Sequence, residues 1–205
     1  MSIVVGENGS KTTLQDAGKH EELLAWAGPR KSPSLAFRGQ MPYHRQEMAD
    51  CGGSVATIGV IANPAAGKDI RRIAAHGFAV DNEEKASIVR RVILGAVSLG
   101  CERIVVMPDS YGLGLRAVAG LGGDRLARER CTVLDMPVSD SAADTLMAAH
   151  LMQESGAGCL VVLGGDGTVR LAAKAASDLP LLPISTGTNN VLPSFVEGTL
   201  AGMAA

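Results

Sequence analysis

The chain has 205 residues and a formal net charge of -2, with 46% apolar and only 3% aromatic side chains. Near-neutrality excludes the basic footprint of a nucleic-acid binder or of a protein held on an anionic membrane surface. The lack of aromatics excludes a base-stacking platform. No apolar run reaches membrane-spanning length, and the N-terminus shows neither a leader pattern nor a lipidation motif, so the expected location is the cytoplasm with no membrane partner.

Residues 1–54 lack sustained periodicity and are expected to be an N-terminal extension, partly ordered at most. A short helix is predicted over His20–Ala27 until Gly28-Pro29 stops it, and Gly52-Gly53-Ser54 reads as a linker. From residue 55 to 205 the pattern is that of one α/β domain.

Val55–Ala62 is a predicted strand that ends in a Pro/Gly turn. Glu83–Leu99 is a predicted helix with Ile88, Val89, Val92, Ile93 and Ala96 on one face. Asp81 with Glu84 supplies its start, and Gly100 its stop. Arg103–Met107 is a second strand, followed after Asp109 by a weaker, glycine-interrupted helix, and Cys131–Met136 is a third strand. A helix starting at Ser139 or Asp140 runs to Gly156 and is expected to bury Ala143, Met147 and Leu151.

Cys159–Leu163 is the fourth strand. The helix after it presents Val169, Ala172, Ala173 and Ala176 inward, and Leu181–Ile184 is a short fifth strand. Val196, Leu200 and Met203 then recur at helical spacing. An apolar helix left uncovered would tend to pair, so a homo-oligomer is expected. Strands alternating with helices predict a mostly parallel, doubly wound sheet, whose ligands gather beyond the carboxyl ends of the strands. Those ends are Asn63-Pro64, Pro108-Asp109, Asp135, Gly164–Thr168 and Ser185–Asn190.

The most informative stretch is Val161-Val-Leu-Gly164-Gly165-Asp166-Gly167-Thr168-Val-Arg170. Gly164, Gly165 and Gly167 permit positive φ and remove Cβ atoms, so backbone N–H groups can close around an anion. A helix beginning near Thr168 would add unpaired N–H groups and the positive end of its dipole. A carboxylate there would repel phosphate unless a cation or a transferable proton lay between them. Asp166 is therefore read as a proton acceptor, an organiser of Mg²⁺ or water, or a helix cap.

Asn63-Pro-Ala-Ala-Gly67-Lys68 lacks the spacing of a Walker A loop. Asn63 offers an amide, Gly67 a bare backbone and Lys68 a positive charge, and the bland alternative is a plain strand-to-helix turn. Ser185-Thr186-Gly187-Thr188-Asn189-Asn190 is a polar turn whose amides suit a ribose hydroxyl or an adenine edge, or simply an Asn-rich turn. The segment from Asp109 to Gly114 reads as a glycine-bent helix start or a substrate-side contact. The four histidines have no second ligand at metal spacing. Cys51, Cys101, Cys131 and Cys159 form no C-x-x-C pair and read as buried free thiols.

Gly-Gly-Asp-Gly-Thr after an apolar strand, with Asn-Pro-x-x-Gly upstream and Thr-Gly-Thr-Asn-Asn downstream, resembles the NAD kinase and diacylglycerol/sphingosine kinase superfamily. The resemblance covers roughly residues 55–205 and is strongest to the ATP-NAD kinase-like branch of the acetoin-catabolism protein X. It implies a phosphofructokinase-like N-terminal domain and an ATP- and Mg²⁺-dependent transfer of phosphoryl to a hydroxyl, the ribose 2′-hydroxyl of NAD before others. By resemblance, Asp166 would take the acceptor's proton. Asn63, Gly67, Lys68, Gly164, Gly165, Gly167 and Thr168 would hold phosphate, and Gly187, Thr188, Asn189 and Asn190 would meet the nucleotide. The later Asn–acid pair of classical NAD kinases and their second, β-rich domain have no counterpart before Ala205. A lipid kinase and a non-catalytic nucleotide-binding regulatory module stand as alternatives.

Overall fold

The computed structural model describes residues 56–67, 77–187 and 189–205. These lie within one compact unit, residues 50–205. The predicted helix at His20–Ala27 and the linker at Gly52-Gly53-Ser54 fall outside the described residues, as do Lys68 and Thr188.

Five described strands, all parallel, build the sheet: β1 (Thr57–Ala62), β2 (Arg103–Val106), β3 (Cys131–Val133), β4 (Cys159–Gly164) and β5 (Leu181–Ser185). Their order is β3-β2-β1-β4-β5, with Val60 beside Val106 on one side and beside Val161 on the other. All six residues of β1 are buried, as a central strand covered on both faces requires. The chain reverses its winding between β1 and β4, and the crevice at such a switch is where doubly wound sheets hold ligands.

One face carries α1 (Asn82–Ser98), α2 (Leu113–Ala119), α3 (Arg125–Arg130) and α6 (Gly198–Ala204). Asp81 caps α1 by accepting from the Glu84 amide at 2.8 Å. At the other end Gly100, at φ +98°, lets the Cys101 amide return to Ala96 O at 3.1 Å. Ile88, Val89, Val92, Ile93 and Ala96 are buried, as the periodicity predicts. Burying each of the larger ones is worth about 1.5–3 kcal/mol.

The α6 helix crosses α1 almost backbone on backbone. A Cβ at Gly202 would lie 2.0 Å from Val92 O, and one at Gly95 2.2 Å from Thr199 O. The buried residues of α6 are therefore Gly198, Ala201 and Gly202, while Leu200 and Met203 are exposed.

The opposite face carries α4 (Ala142–Glu154) and α5 (Asp166–Ala175). Here two predicted faces are corrected. The buried stripe of α4 is Asp144, Thr145, Ala148, Ala149 and Met152, whereas Ala143 and Met147 are exposed and Leu151 is half-buried. The capping box of Ser141 and Asp144 sets the rotation by turning Asp144 inward, and the two alanines let the helix lie close to the sheet. On α5, Val169, Ala172 and Ala176 are buried and Ala173 is exposed.

The thiols of Cys101, Cys131 and Cys159 are free and half-buried rather than buried. Desolvation pushes the Cys131 thiol up to about 12. Among the described residues no helix is long and apolar enough to cross a membrane.

Candidate functional site

A cleft of about 620 Å³ opens at the carboxyl edge of the sheet, within the size range of small-molecule sites. One wall is built by the β1 turn and the start of α5: Asn63, Pro64, Ala65, Gly167 and Thr168. The facing wall comes from the loops after β2 and β3 and the first turn of α4: Asp109, Ser110, Tyr111, Asp140, Ser141 and Asp144. Two motifs more than a hundred residues apart thus share one wall, where the Asn63 side-chain amide donates to Thr168 Oγ1 at 2.9 Å.

The glycines of the β4–α5 turn serve a different purpose from the one their sequence suggests. None of Gly164, Gly165 and Gly167 is among the positive-φ residues, and α5 begins at Asp166 rather than near Thr168. Gly164 is needed for close approach, since a Cβ there would lie 2.6 Å from Thr168 Cβ. Gly165 is the N-cap, in extended backbone, and lies against the Asn190 side chain. A Cβ on Gly167 would meet nothing within 4 Å; this residue faces the cleft.

Three helix starts meet at this cleft, and they differ in charge compensation. At α2, Asp109 accepts from the amides of Tyr111 at 3.0 Å and Gly114 at 3.1 Å. At α4, Asp144 accepts from the Ser139 hydroxyl at 2.6 Å and from the amides of Ser139 and Ser141. Burial alone would raise the Asp144 carboxyl, but the hydrogen bonds from Ser139, Ser141 and Asp140 outweigh it and hold the group below its ordinary value. The start of α5 has no side-chain cap. Its first-turn amides meet no side-chain acceptor and stay open to an anion, although the Asp166 carboxylate at the first helical position offsets part of the dipole.

Asp166 does not line the cleft. Its carboxylate accepts from the Val191 amide at 2.9 and 3.0 Å and from the Leu192 amide at 2.8 Å, binding the β4 turn to the loop after β5. That loop is also tied internally. Asn190 Nδ2 donates to Ser185 Oγ at 2.9 Å and to Gly187 O at 3.0 Å. Asn189 is exposed at φ +66°. Gly187 and Asn190 thus shape the second loop beside the cleft without lining it. Gly67 lies in the β1 turn at φ +95°.

Sequence reasoning missed Lys85. It is 1% exposed, and its ammonium donates to main-chain oxygens of the β1 turn. The available signal was its register with Ile88, Val89 and Val92 on the buried stripe. Among the described residues no group of three or more His, Cys, Asp or Glu is placed to hold a metal ion.

No solved structure matches this chain significantly. The acetoin catabolism protein X of Cupriavidus necator is 38% identical over 150 residues, which cover 72% of this chain and 42% of that relative. The chain therefore spans less than half the length of the relative it matches. Residues 58–205 match the ATP-NAD kinase N-terminal domain, the stretch that holds the Asn63 turn, the three-glycine turn and the cleft between them. The chain belongs to the ATP-NAD kinase family through its N-terminal domain.

Proposed function

We propose that this domain binds ATP in the cleft and serves the transfer of its γ-phosphoryl group to a hydroxyl, with the ribose 2′-hydroxyl of NAD as acceptor. The observation that carries this reading is the uncapped start of α5 beside two helix starts already compensated by Asp109 and Asp144. A polyphosphate can accept from the open amides of the first, whose own acid, Asp166, is turned to Val191 and Leu192, and is repelled by the carboxylates at the other two, which orients it along the Asn63–Thr168 wall. Asn63, Gly167 and Thr168 hold phosphate in this reading, and the hydroxyl and carboxylate wall receives the sugar.

In the reaction the bond from the γ-phosphorus to the ADP oxygen breaks, a bond to the acceptor oxygen forms, and the acceptor's proton passes to a base. Asp166 is that base or the organiser of the water around a cation, a role for which its carboxylate must turn from the Val191 and Leu192 amides toward the cleft. A carboxylate is a weak base toward an alcohol, so most of the rate must come from positioning and charge neutralisation. Mg²⁺ would neutralise the transferring phosphates. The described residues offer no ready-made cage for it, so Mg²⁺ would have to be held chiefly by the phosphate oxygens and water. A second reading, a nucleotide-binding regulatory module without catalysis, is favoured by the engagement of Asp166 with Val191 and Leu192.

The experiment is incubation of the chain with ATP, Mg²⁺ and either NAD or diacylglycerol. NADP formation supports the proposal, and phosphatidate formation favours a lipid kinase. Thermal stabilisation by ATP without either product favours the regulatory module. The absence of both stabilisation and product would refute nucleotide binding altogether.

A further inference from the structure

Lys85 breaks two local rules at once. It sits in the first turns of α1, where the helix dipole disfavours a cation, and it is 1% exposed, where an ammonium is strongly penalised unless well solvated by protein oxygens. Sites that violate local preference in this way are expected to be functional ones.

The compensation is directional. Lys85 Nζ donates to the carbonyl oxygens of Asn63 at 3.2 Å, Pro64 at 3.1 Å and Ala66 at 2.7 Å, and to Asn82 Oδ1 at 3.2 Å. Three of these four oxygens belong to one short turn, the one that follows β1 and lines the cleft. With its carbonyls drawn toward the lysine, the turn presents the Asn63 side chain in a fixed pose. Asn63 Oδ1 accepts from the Ala65 amide at 2.9 Å, and Nδ2 reaches Thr168 at 2.9 Å. A compact ammonium suits this task, because its three donors can converge on carbonyls from different directions, whereas a planar guanidinium cannot.

We infer that Lys85 is the positioning residue of the nucleotide site, holding the Asn63–Ala66 turn from behind so that the phosphate-binding wall is preorganised before ligand arrives. The inference deepens, and rests on, the reading of the cleft as a nucleotide site. Lys85 acts through the turn and touches no ligand. Its positive charge, set behind that wall in a low-dielectric interior, also favours an anion in front of it.

The test uses the full 205-residue chain with Lys85→Met and Lys85→Arg, ATP as the probe, and two readouts: calorimetric affinity and amide exchange. Lys85→Met is expected to weaken ATP binding by about tenfold or more, and to speed exchange in the Ala65–Gly67 turn selectively while the amides of Val105 and Val162 remain the slowest. Lys85→Arg keeps the charge and is expected to recover only part of the affinity. ATP affinity within about twofold of the parent's, with the turn still protected, would overturn the inference. So would a uniform rise in exchange with unchanged affinity, which marks a purely structural lysine. Should Lys85→Met fail to fold, Lys85→Gln carries the same two readouts. A parent chain that binds no ATP refutes the nucleotide reading, and the turn-selective exchange then decides the positioning role alone.

Discussion

The side-chain amide of Asn63 donates to the hydroxyl of Thr168 across 2.9 Å, fastening the turn after β1 to the first turn of α5. Adjacent strands in a parallel sheet bring their carboxyl-end loops together, but this bond makes the two loops one wall. With its oxygen accepting from Asn63, Thr168 keeps a proton to donate toward a ligand.

Asn63→Ala removes that bond and the one from the Ala65 amide. The expected loss of stability is about 1–2 kcal/mol, measured by urea unfolding. Asn63→Asp keeps the shape but puts a negative charge on the phosphate wall. Its ATP affinity should fall further than that of the alanine variant while its stability falls less, and the reverse order would show that the wall does not meet phosphate.

For Asp166, replacement by Asn keeps an oxygen that the Val191 and Leu192 amides can use but removes the base. The expected result is a kcat lowered about 100-fold or more with ATP binding retained. Asp166→Ala should in addition speed amide exchange at Val191 and Leu192. Full turnover in the Asn variant would leave Asp166 as a clamp alone.

Two glycine substitutions should act in opposite senses. At Gly167 an added Cβ meets open space on the cleft side, so Gly167→Ala is expected to hold or raise stability, by up to about 1 kcal/mol, while weakening ATP binding. At Gly202 the same methyl would lie 2.0 Å from Val92 O, and Gly202→Ala should destabilise by at least about 2 kcal/mol. Thermal unfolding with and without ATP separates the two.

The Asp144 carboxyl is held below its ordinary value, so its ionised form is favoured by folding. A depressed folded-state pKa gives stability that is present above the unfolded value, ~3.9, and lost as pH falls through the folded one. The stability difference between the parent and Asp144→Asn should therefore be constant near neutrality and shrink below about pH 4. Urea unfolding between neutral and acid pH checks this, and a gap that widens on acidification would contradict it.

β1, β2, β4 and α1 were legible in the sequence because apolar runs and a clean helical stripe admit few alternatives, whereas β3, half-exposed and carrying Thr132, stops at Val133 and not at the expected Met136. The α4 face was not, because its inward rotation depends on Asp144, an acid whose place in a capping box gives no apolar signal. Glycine was legible as a requirement at position 164 but not in kind: the same letter serves positive φ or close approach, and only contact with Thr168 tells them apart. Lys85 was hidden among Asn82, Glu83 and Glu84, where charge reads as a solvated helix start. Asp166 was found as a residue that matters, but its bonds to Val191 and Leu192 depend on a loop the sequence does not place.

Because α6 grips its neighbour through Gly198, Ala201 and Gly202, its attachment is independent of the bulky residues it shows on the outside. Leu200 and Met203 can be exchanged for other side chains, polar ones included, without loosening the helix from its seat. The seam itself is the intolerant part: a single added methyl at position 202 already reaches the carbonyl oxygen of Val92.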